Sequence, residues 1–443
     1  TASLSSEDQR EQILGEIKET MLTNYTTLGK RFAEDLSNNA KKLIGVGVLL
    51  PILSLLVLPI ISVFLPELVR PQLLAFIYII LFPTVTLLLA MNFSAKRIHV
   101  DTVRIQDAKE YTPVPDWVYI VCGLVIMLAA IPTIIEVQTA FDSSSTSIGF
   151  LSILRAWSFS FGLYAAAKLF TWYYTKSNHE LWEEVRKVED DLPHLLQSFS
   201  TYLSLNKSVE NIIPAVAQDY RDFGFTDHPV VRAFDQVTNK MATSKERLAD
   251  LIEDTIQAII PSNKVTAIIS QILSFSKISQ DSATRVAKMI REQVSSLKDL
   301  DDYLQTLLAD SVSLIKSTIL LLAPLLTSSA VTMSVAIVKS LVFITEQFQQ
   351  LGEAFGLSGL ELQLVDTSNI VPPVIIEAIV GVYLVEILLV LAYFQTLIEV
   401  GNDRYKMAES MNSSLNGFLI YSVLLFGGFY FVLNVLFPTI TAG

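Results

Sequence analysis

The sequence predicts an all-helical, polytopic membrane protein with about seven transmembrane helices and a helical bundle in the cytoplasm. Apolar runs of about twenty residues recur along the chain, which is the length that crosses the hydrocarbon core of a bilayer as a helix. A long, highly charged segment separates the fourth run from the fifth. The composition agrees, since 51% of the residues are hydrophobic and the mean hydropathy is +0.47.

The predicted transmembrane helices follow the apolar runs in chain order. The runs are Leu43–Phe64, Leu73–Met91, Trp117–Ile135, Ile148–Phe170, Ser317–Val338, Val371–Tyr393 and Phe418–Phe437. Buried helices of a soluble protein are the alternative, but soluble cores seldom contain so many long apolar runs. Proline within several runs is compatible with transmembrane helices, because neighbouring helices satisfy the carbonyl groups that proline leaves free.

The distribution of lysine and arginine predicts the orientation of the chain. Basic residues concentrate in one set of connecting segments, namely Arg10, Lys18, Lys30, Arg31, Lys41, Lys42, Lys96, Arg97, Arg104, Lys109, Arg404 and Lys406. The opposite loops contain only Arg70 and Lys339. The positive-inside rule therefore predicts a multi-pass protein of the cell membrane whose N-terminus and charged segment are cytoplasmic and whose C-terminus is outside.

Four regions follow from these boundaries. Residues 1–42 form a cytoplasmic amphipathic helical segment, and residues 43–174 contain four transmembrane helices with short loops. Residues 175–311 form the cytoplasmic bundle, and residues 312–443 contain three transmembrane helices with a short cytoplasmic loop. Because the chain begins at Thr1 without an initiator methionine or a signal-peptide pattern, we expect that sequence upstream of it has been lost.

Apolar residues spaced three and four apart predict the helices of the charged segment. These helices are Leu192–Leu205, Ser208–Tyr220, Val230–Ala242, Ser244–Ala258, Ser262–Ile278 and Ser282–Leu308. Amphipathic helices of this kind bury their apolar faces against one another, which predicts a small bundle. The last helix continues toward the fifth apolar run, so we expect it to form a stalk between the bundle and the membrane.

Two parts of the sequence share one layout, which predicts a parallel internal repeat. From about Gln12 to Pro51, a charged amphipathic helix runs into an apolar segment that contains the sequence VLLPIL. From about Arg285 to Pro324, the same order recurs and ends with LLLAPLL. The repeat implies that residues 1–42 are the tail of a first, truncated copy of the bundle.

The charged segment resembles the F domain of type II secretion systems. Asp191–Tyr220, with the sequence DLPHLLQSFSTYLSLNKSVENIIPAVAQDY, resembles the opening helix pair of that domain. Ser274–Leu304, with the sequence SFSKISQDSATRVAKMIREQVSSLKDLDDYL, resembles its closing helices. The segments LLPILSLLVLPII and IILFPTV are similar to spans of the archaeal branch of this family, which comprises the platform proteins of archaeal type IV pili and of the archaellum.

The chain departs from the family at two turns. The turn between the first two helices often contains glycine in the family, whereas here it reads Leu205-Asn206-Lys207. Asparagine also adopts the left-handed conformation that glycine would supply. A second glycine-rich turn of the family is replaced by Ser279-Gln280-Asp281. The departures therefore bear on any hinge that depends on glycine, and not on the fold.

The resemblance implies a protein without catalytic activity that anchors the base of a pilus-like filament. It implies that the cytoplasmic bundle binds a hexameric secretion ATPase, and that motion of the ATPase is coupled to the insertion of pilin or archaellin subunits. Membrane lipid is a further expected partner, and a homodimer is compatible with this role. Whether the filament is an adhesion pilus or an archaellum is left open.

The sequence lacks the motifs of common enzymatic and metal sites. It contains no GxxxxGK[ST], HExxH, CxxC or GxSxG, and its four histidines, His99, His179, His194 and His228, lack metal-ligand spacing. We therefore expect no catalytic residue, no cofactor and no metal. The net charge of −12 disfavours a nucleic acid as partner.

Three charged residues, Arg155, Glu377 and Glu386, lie within the predicted transmembrane helices. Charge at such positions is costly and is commonly paired or functional. Arg155 and Glu377 lie at similar depths, about 10 Å from the outer surface by helix rise, which predicts an ion pair between them. In the alternatives, Arg155 meets an acidic residue of a pilin, or the three residues form a proton pathway.

Charged residues of the short cytoplasmic loops are candidates for a surface that faces the ATPase. They are Lys96, Arg97, Arg104, Asp403, Arg404 and Lys406, and their alternative role is to satisfy the positive-inside topology. The main alternative function is a secondary transporter that uses the three intramembrane charges. A transporter of that kind predicts inverted repeats, whereas the repeat here is parallel. A membrane sensor is a third alternative, but the outer loops are too short for a ligand-binding domain.

Overall fold

Helices form nearly all of the structure, a computed structural model. It describes residues 27–31, 34–64, 70–94, 111–142, 149–243, 262–276, 279–354 and 371–437, with single positions at 20, 24, 105, 255 and 259. Helix accounts for 92% of it, and no strand occurs among the described residues. The predicted all-helical fold class is therefore confirmed.

Twelve helices are numbered here in chain order within the described ranges. They are α1 (Thr27–Val57), α2 (Pro71–Phe93), α3 (Asp116–Asp142), α4 (Phe150–Asp190), α5 (Leu192–Ser204), α6 (Val209–Asp222), α7 (Pro229–Thr243), α8 (Asn263–Ser276), α9 (Gln280–Thr345), α10 (Pro373–Glu399), α11 (Arg404–Ser414) and α12 (Asn416–Phe431). Seven helical stretches in the described part of the chain are long and apolar enough to cross a membrane: α1, α2, α3, α4, α9, α10, and α11 together with α12. Each of them contains one of the seven predicted apolar runs or most of it, which indicates a multi-pass membrane protein.

Two helices extend far beyond the length needed to cross a bilayer. Helix α9 has 66 residues and α4 has 41, which correspond to about 100 Å and about 60 Å at the rise of an α-helix. In α9 the last helix of the bundle continues without a break into the fifth apolar run, as the predicted stalk requires. The continuation of α4 through Phe170 was not predicted, although no glycine or proline occurs between Gly162 and Pro193 to end the helix.

Prolines mark the positions where the apolar helices widen into π-helices. In the described residues there are four such segments, Gly45–Leu49, Phe76–Leu81, Thr318–Leu322 and Val432–Leu436, and in the sequence each ends two residues before a proline: Pro51, Pro83, Pro324 and Pro438. Proline cannot donate to the carbonyl four residues earlier, and its ring crowds that carbonyl. A wider turn relieves this crowding while the helix continues.

The positions of two π-helices support the predicted repeat. When Gln12 is aligned with Arg285, Gly45–Leu49 coincides with Thr318–Leu322, and Pro51 coincides with Pro324. In both copies a long helix precedes the π-helix without a break in the described residues. This agreement covers the repeat from residue 27 onward, since its predicted start at Gln12 lies outside the described residues.

Helix α10 lies at the centre of the membrane helices. It packs against α2, α4, α9 and α11, and most of its side chains are buried. Gly381 allows the close approach of α10 to α4, because an added Cβ atom would lie 2.6 Å from Ser160 Oγ. Helix α3, in contrast, packs mainly against α4 and exposes most of its apolar surface, as expected of a helix that faces lipid.

The helices α5 to α8 form a bundle with the end of α4 and the start of α9. Its core includes Leu195, Phe199, Ile213, Phe234 and Ile269, which are almost fully buried. Four predicted helices of this region therefore agree with α5, α6, α7 and α8, while the predicted helix Ser244–Ala258 lies outside the described residues except for Thr255.

Both turns that depart from the F-domain pattern have a local explanation. Asn206 has a φ of 56°, the left-handed conformation predicted for it at the turn between α5 and α6. Ser279 precedes α9 in an extended conformation, and its side chain accepts a hydrogen bond from the backbone N–H of Ser282. This contact caps the first turn of α9, so neither turn needs the glycine that the family often has there.

Candidate functional site

The candidate functional site is the place where the bundle meets the membrane helices. Three side chains at its centre, Trp182, Asp403 and Tyr405, are termed the junction cluster. Trp182 lies on the bundle-side half of α4, and its indole stacks on the phenol ring of Tyr405 at a centroid distance of 4.9 Å. The cluster thereby joins the loop between α10 and α11 to the helix that continues into the bundle.

Asp403 organises the junction cluster through three hydrogen bonds. Its Oδ1 accepts from the backbone N–H groups of Tyr405 and Lys406 at 2.9 and 3.1 Å, which caps the first turn of α11. Its Oδ2 accepts from Trp182 Nε1 at 2.9 Å. Burial raises the pKa of Asp403 above its ordinary value, and these hydrogen bonds oppose part of the rise.

Two cations and a histidine surround the cluster. Lys406 Nζ and the Arg186 guanidinium lie 4.5 and 5.0 Å from the centroid of the Trp182 indole ring, within the range of cation–π contacts. His179 Nδ1 lies 2.8 Å from Tyr405 Oη. Helix α11 is therefore fastened to α4 by stacking, hydrogen bonding and cation–π contacts together.

These contacts join the loop after α10 and the start of α11 to α4. Within the described ranges, no group of three or more His, Cys, Asp or Glu side chains has the arrangement of a metal site. The carboxylate of Asp403 is occupied by a helix cap and an indole, so it is not placed to act on a substrate. The arrangement can hold α4, α10 and α11 in fixed relative positions.

Three of the six predicted ATPase-facing residues lie in the described part of the chain, and one of the three is buried. Asp403 is fully buried, so the prediction that it faces a partner is wrong. Its carboxylate instead caps α11 and accepts a hydrogen bond from Trp182. Arg404 is exposed and Lys406 is half-buried. The other three candidates, Lys96, Arg97 and Arg104, lie outside the described residues.

The predicted ion pair between Arg155 and Glu377 is wrong. Arg155 Nη1 instead pairs with Glu136 Oε2 at 3.0 Å, and their side chains are 46% and 10% exposed. The predicted apolar run ended at Ile135, but α3 continues as a helix to Asp142 and packs along α4. This continuation brings the carboxylate of Glu136 opposite Arg155.

The two acidic residues within the apolar run of α10, Glu377 and Glu386, have no cationic partner among the described residues. Glu377 is fully buried; its Oε1 accepts a hydrogen bond from Tyr421 Oη at 3.4 Å, and its Oε2 has no partner in the described part of the chain. Glu386 is half-buried, and its Oε2 is likewise without a described partner. The structure therefore pairs no two of the three predicted intramembrane charges.

The bundle carries an aromatic surface that sequence reasoning missed. Phe223 and Phe225, in the turn after α6, are 78% and 54% exposed and flank Gly224, whose φ is +89°. They border a groove of about 530 Å³ that also contains Tyr202, Asp219 and other side chains of α5 and α6. Neighbouring exposed aromatic residues are characteristic of protein contacts.

Two sequence signals pointed to these missed features. An indole in the charged segment after the fourth apolar run, at Trp182, is unusual for a solvated helix, and the sequence Phe223-Gly224-Phe225 places two aromatic residues in a turn. Their partners were not predictable, because α11 and α4 are far apart in the chain. No family model, curated protein or solved structure matches the chain.

Proposed function

We propose that this protein is the membrane platform of an archaeal type IV pilus-like machine. In this role it anchors the base of the filament in the cell membrane and couples a cytoplasmic secretion ATPase to the insertion of pilin subunits. The observation that carries the proposal is the pair of continuous helices, α4 and α9, that connect the bundle with the membrane helices. A motion imposed on the bundle would pass to the membrane helices without a flexible linker between them.

The junction cluster extends this coupling to a third helix. Because α11 is fastened to α4 through Asp403, Trp182 and Tyr405, displacement of α4 would also displace the start of the last spanning stretch. Helix α10 packs against α4, α9 and α11. We infer that the membrane helices respond to the bundle as a connected unit.

The aromatic surface is our proposed contact for the ATPase. Phe223 and Phe225 supply apolar area, and Asp191 and Asp219 supply negative charge at the same groove. A partner surface that carries apolar and basic side chains would complement it. The positive-inside rule predicts that this bundle is cytoplasmic, on the side where such an ATPase would operate.

Binding to a hexameric secretion ATPase of the same organism tests the proposal. The full-length protein in detergent is used to retain the ATPase, and ATP turnover is measured in the same sample. We expect retention by the wild type and at least a tenfold loss for Phe223→Ser/Phe225→Ser, since central aromatic contacts commonly contribute more than about 1.4 kcal/mol.

The matched control is Met289→Ser on α9, which removes a bundle side chain that is 64% exposed. It is expected to bind as the wild type does. If all proteins are folded and neither the wild type nor the control retains the ATPase, the platform function is rejected. Equal binding by all three proteins would reject the aromatic surface as the contact while leaving the function supported.

A secondary transporter is the alternative function, and one observation favours it. The carboxyl groups of Glu377 and Glu386 are each left with an oxygen that has no described partner, and such groups within membrane helices often serve ion pathways. The alternative predicts ion flux in proteoliposomes that Glu377→Gln and Glu386→Gln abolish. The platform function predicts that neither variant changes the permeability of the vesicles.

A further inference from the structure

A cavity of about 480 Å³ lies beside the junction cluster, between α4, α9, α10 and α11. This volume is within the range of small-molecule binding sites. Its wall combines the cations Arg186, Lys316 and Lys406 with hydroxyl and amide groups, and with the apolar side chains of Ile319 and Leu320. The lining of the cavity is therefore partly polar and partly apolar.

The cations of the cavity outnumber its acids. Lys316 Nζ lies 3.3 Å from Glu399 Oε1, and Lys406 Nζ lies 2.6 Å from Glu409 Oε2. Arg186 reaches Asp190, which does not line the cavity, at 3.3 Å. Three cations and two carboxylates thus line the cavity, and the carboxylate that pairs with Arg186 lies outside it.

Two of these cations contact the same aromatic ring. Both Lys406 and Arg186 lie against the indole of Trp182. An anion bound in the cavity would be attracted to both of them. Ser410 and Ser413 on α11 add hydroxyl groups to the same wall, so the cavity offers both charge and hydrogen-bond donors to an anion.

The depth of the cavity matches the headgroup layer of a bilayer. Lys316 directly precedes the apolar run of α9, and Glu399 follows the apolar run of α10 by about two turns. Beyond Ile319 and Leu320, the side chains of Leu321 and Leu322 are exposed on α9, where lipid chains would contact them. A ligand with an anionic head and an apolar tail would place its head in the cavity and its tail along these exposed leucines.

We propose that this cavity binds the phosphate-bearing headgroup of an anionic membrane lipid, on the side of the membrane that the bundle occupies. Basic pockets between transmembrane helices bind such headgroups through charge and hydrogen bonds. The acyl chains of the lipid extend along Leu321 and Leu322. This inference does not depend on the proposed platform function, because it concerns the cavity alone.

Thermal unfolding of the full-length protein in detergent tests the proposal. The probes are dioctanoyl phosphatidylglycerol, dioctanoyl phosphatidylcholine and inorganic phosphate, each titrated separately. We expect phosphatidylglycerol to raise the Tm in a saturable manner, and the other two probes to have little effect. In Lys316→Gln the apparent Kd for phosphatidylglycerol should weaken about fivefold, as expected for one cation near a headgroup.

Two further variants distinguish binding of the lipid in this cavity from its general attraction to positive charge on the protein. Lys316→Arg keeps the positive charge and should keep most of the affinity. Lys288→Gln removes an exposed cation from the same helix, about 40 Å from Lys316 by helix rise, and should bind as the wild type does.

Three results would overturn the proposal. Equal stabilisation by phosphatidylcholine and phosphatidylglycerol would show that the anionic headgroup is not recognised. Equal weakening by Lys288→Gln and Lys316→Gln would show that the cavity is not the site. Saturation by inorganic phosphate at the same concentration as the lipid would assign the cavity to a free phosphate anion instead of a lipid.

Discussion

The hydroxyl group of Tyr383 on α10 donates a hydrogen bond to the backbone carbonyl of Gly47 on α1. Pro51 has no N–H to offer this carbonyl, which lies four residues before it, so the helix itself leaves the carbonyl without its usual donor. A buried backbone carbonyl without a partner is costly in a membrane. Tyr383 therefore supplies a hydrogen-bond donor in place of the N–H that Pro51 lacks. The same bond joins the first copy of the repeat to the central helix α10.

Removal of the Tyr383 hydroxyl should destabilise the protein. In Tyr383→Phe the buried carbonyl of Gly47 loses this donor, and the loss of a buried hydrogen bond costs about 1 to 3 kcal/mol. The free energy of unfolding in detergent, measured by denaturant titration, should fall by that amount. Tyr430→Phe removes an exposed hydroxyl from α12 and is the matched control; equal stability of the two variants would contradict the assigned role of Tyr383.

Gly47 should tolerate no larger side chain, whereas Gly45 in the same π-helix should. An added Cβ atom at Gly47 would lie 2.5 Å from Thr86 Cγ2, and one at Gly45 would have no neighbour within 4 Å. We expect Gly47→Ala to lower the free energy of unfolding by about 1 to 3 kcal/mol through overpacking. Gly45→Ala should be neutral or slightly stabilising.

A second substitution checks the cause of that effect. Thr86→Ala removes the two side-chain atoms closest to the added Cβ, so the double variant Gly47→Ala/Thr86→Ala should recover part of the loss. If Gly45→Ala destabilises the protein as much as Gly47→Ala does, the close contact between α1 and α2 is not its source.

Double-mutant cycles should distinguish the partner of Arg155. With Arg155→Gln and Glu136→Gln, we expect a coupling energy of about 1 kcal/mol, because the pair is partly exposed and its carboxylate is largely buried. The control cycle with Arg155→Gln and Glu377→Gln should give a coupling energy near zero. A larger coupling energy in the cycle with Glu377→Gln than in the cycle with Glu136→Gln would instead support the predicted pair of Arg155 and Glu377.

The bundle should lose stability in mild acid because of His228. Burial lowers the pKa of His228 most strongly, and the nearby carboxylate of Asp191 opposes part of that shift; Lys187 and Arg232 also act on it. The unfolded chain therefore binds a proton at higher pH than the folded chain, so stability falls as the pH falls below about 6.5. The loss in Tm between pH 7.5 and pH 5.5 should be smaller in His228→Gln than in the wild type. An equal loss in both proteins would exclude His228 as the cause.

Local features of this chain were predictable and long-range contacts were not. The apolar runs and the periodicity of the bundle helices depend on neighbouring residues. The left-handed conformation of Asn206 was predictable because the turn between α5 and α6 requires a residue that can adopt it. The burial of Asp403 depends on the docking of α11 against α4, which no local pattern reveals. The partner of Arg155 was missed because it depends on where α3 ends and on which helix lies beside α4.

The central claim, that the bundle drives the membrane helices through rigid helical links, is tested most directly by filament assembly in cells. The chromosomal copy is replaced by a variant with seven glycine and serine residues inserted after Asp302 in α9. The control carries seven helix-forming residues at the same place, which nearly preserves the phase of the helix. Protein abundance and binding of the secretion ATPase are measured in both strains.

We expect the flexible insert to reduce the number of filaments seen by electron microscopy at least tenfold, while abundance and ATPase binding are retained. The helical insert should preserve most filaments. Normal filament numbers with the flexible insert, at normal abundance, would contradict the claim that a continuous α9 transmits the motion.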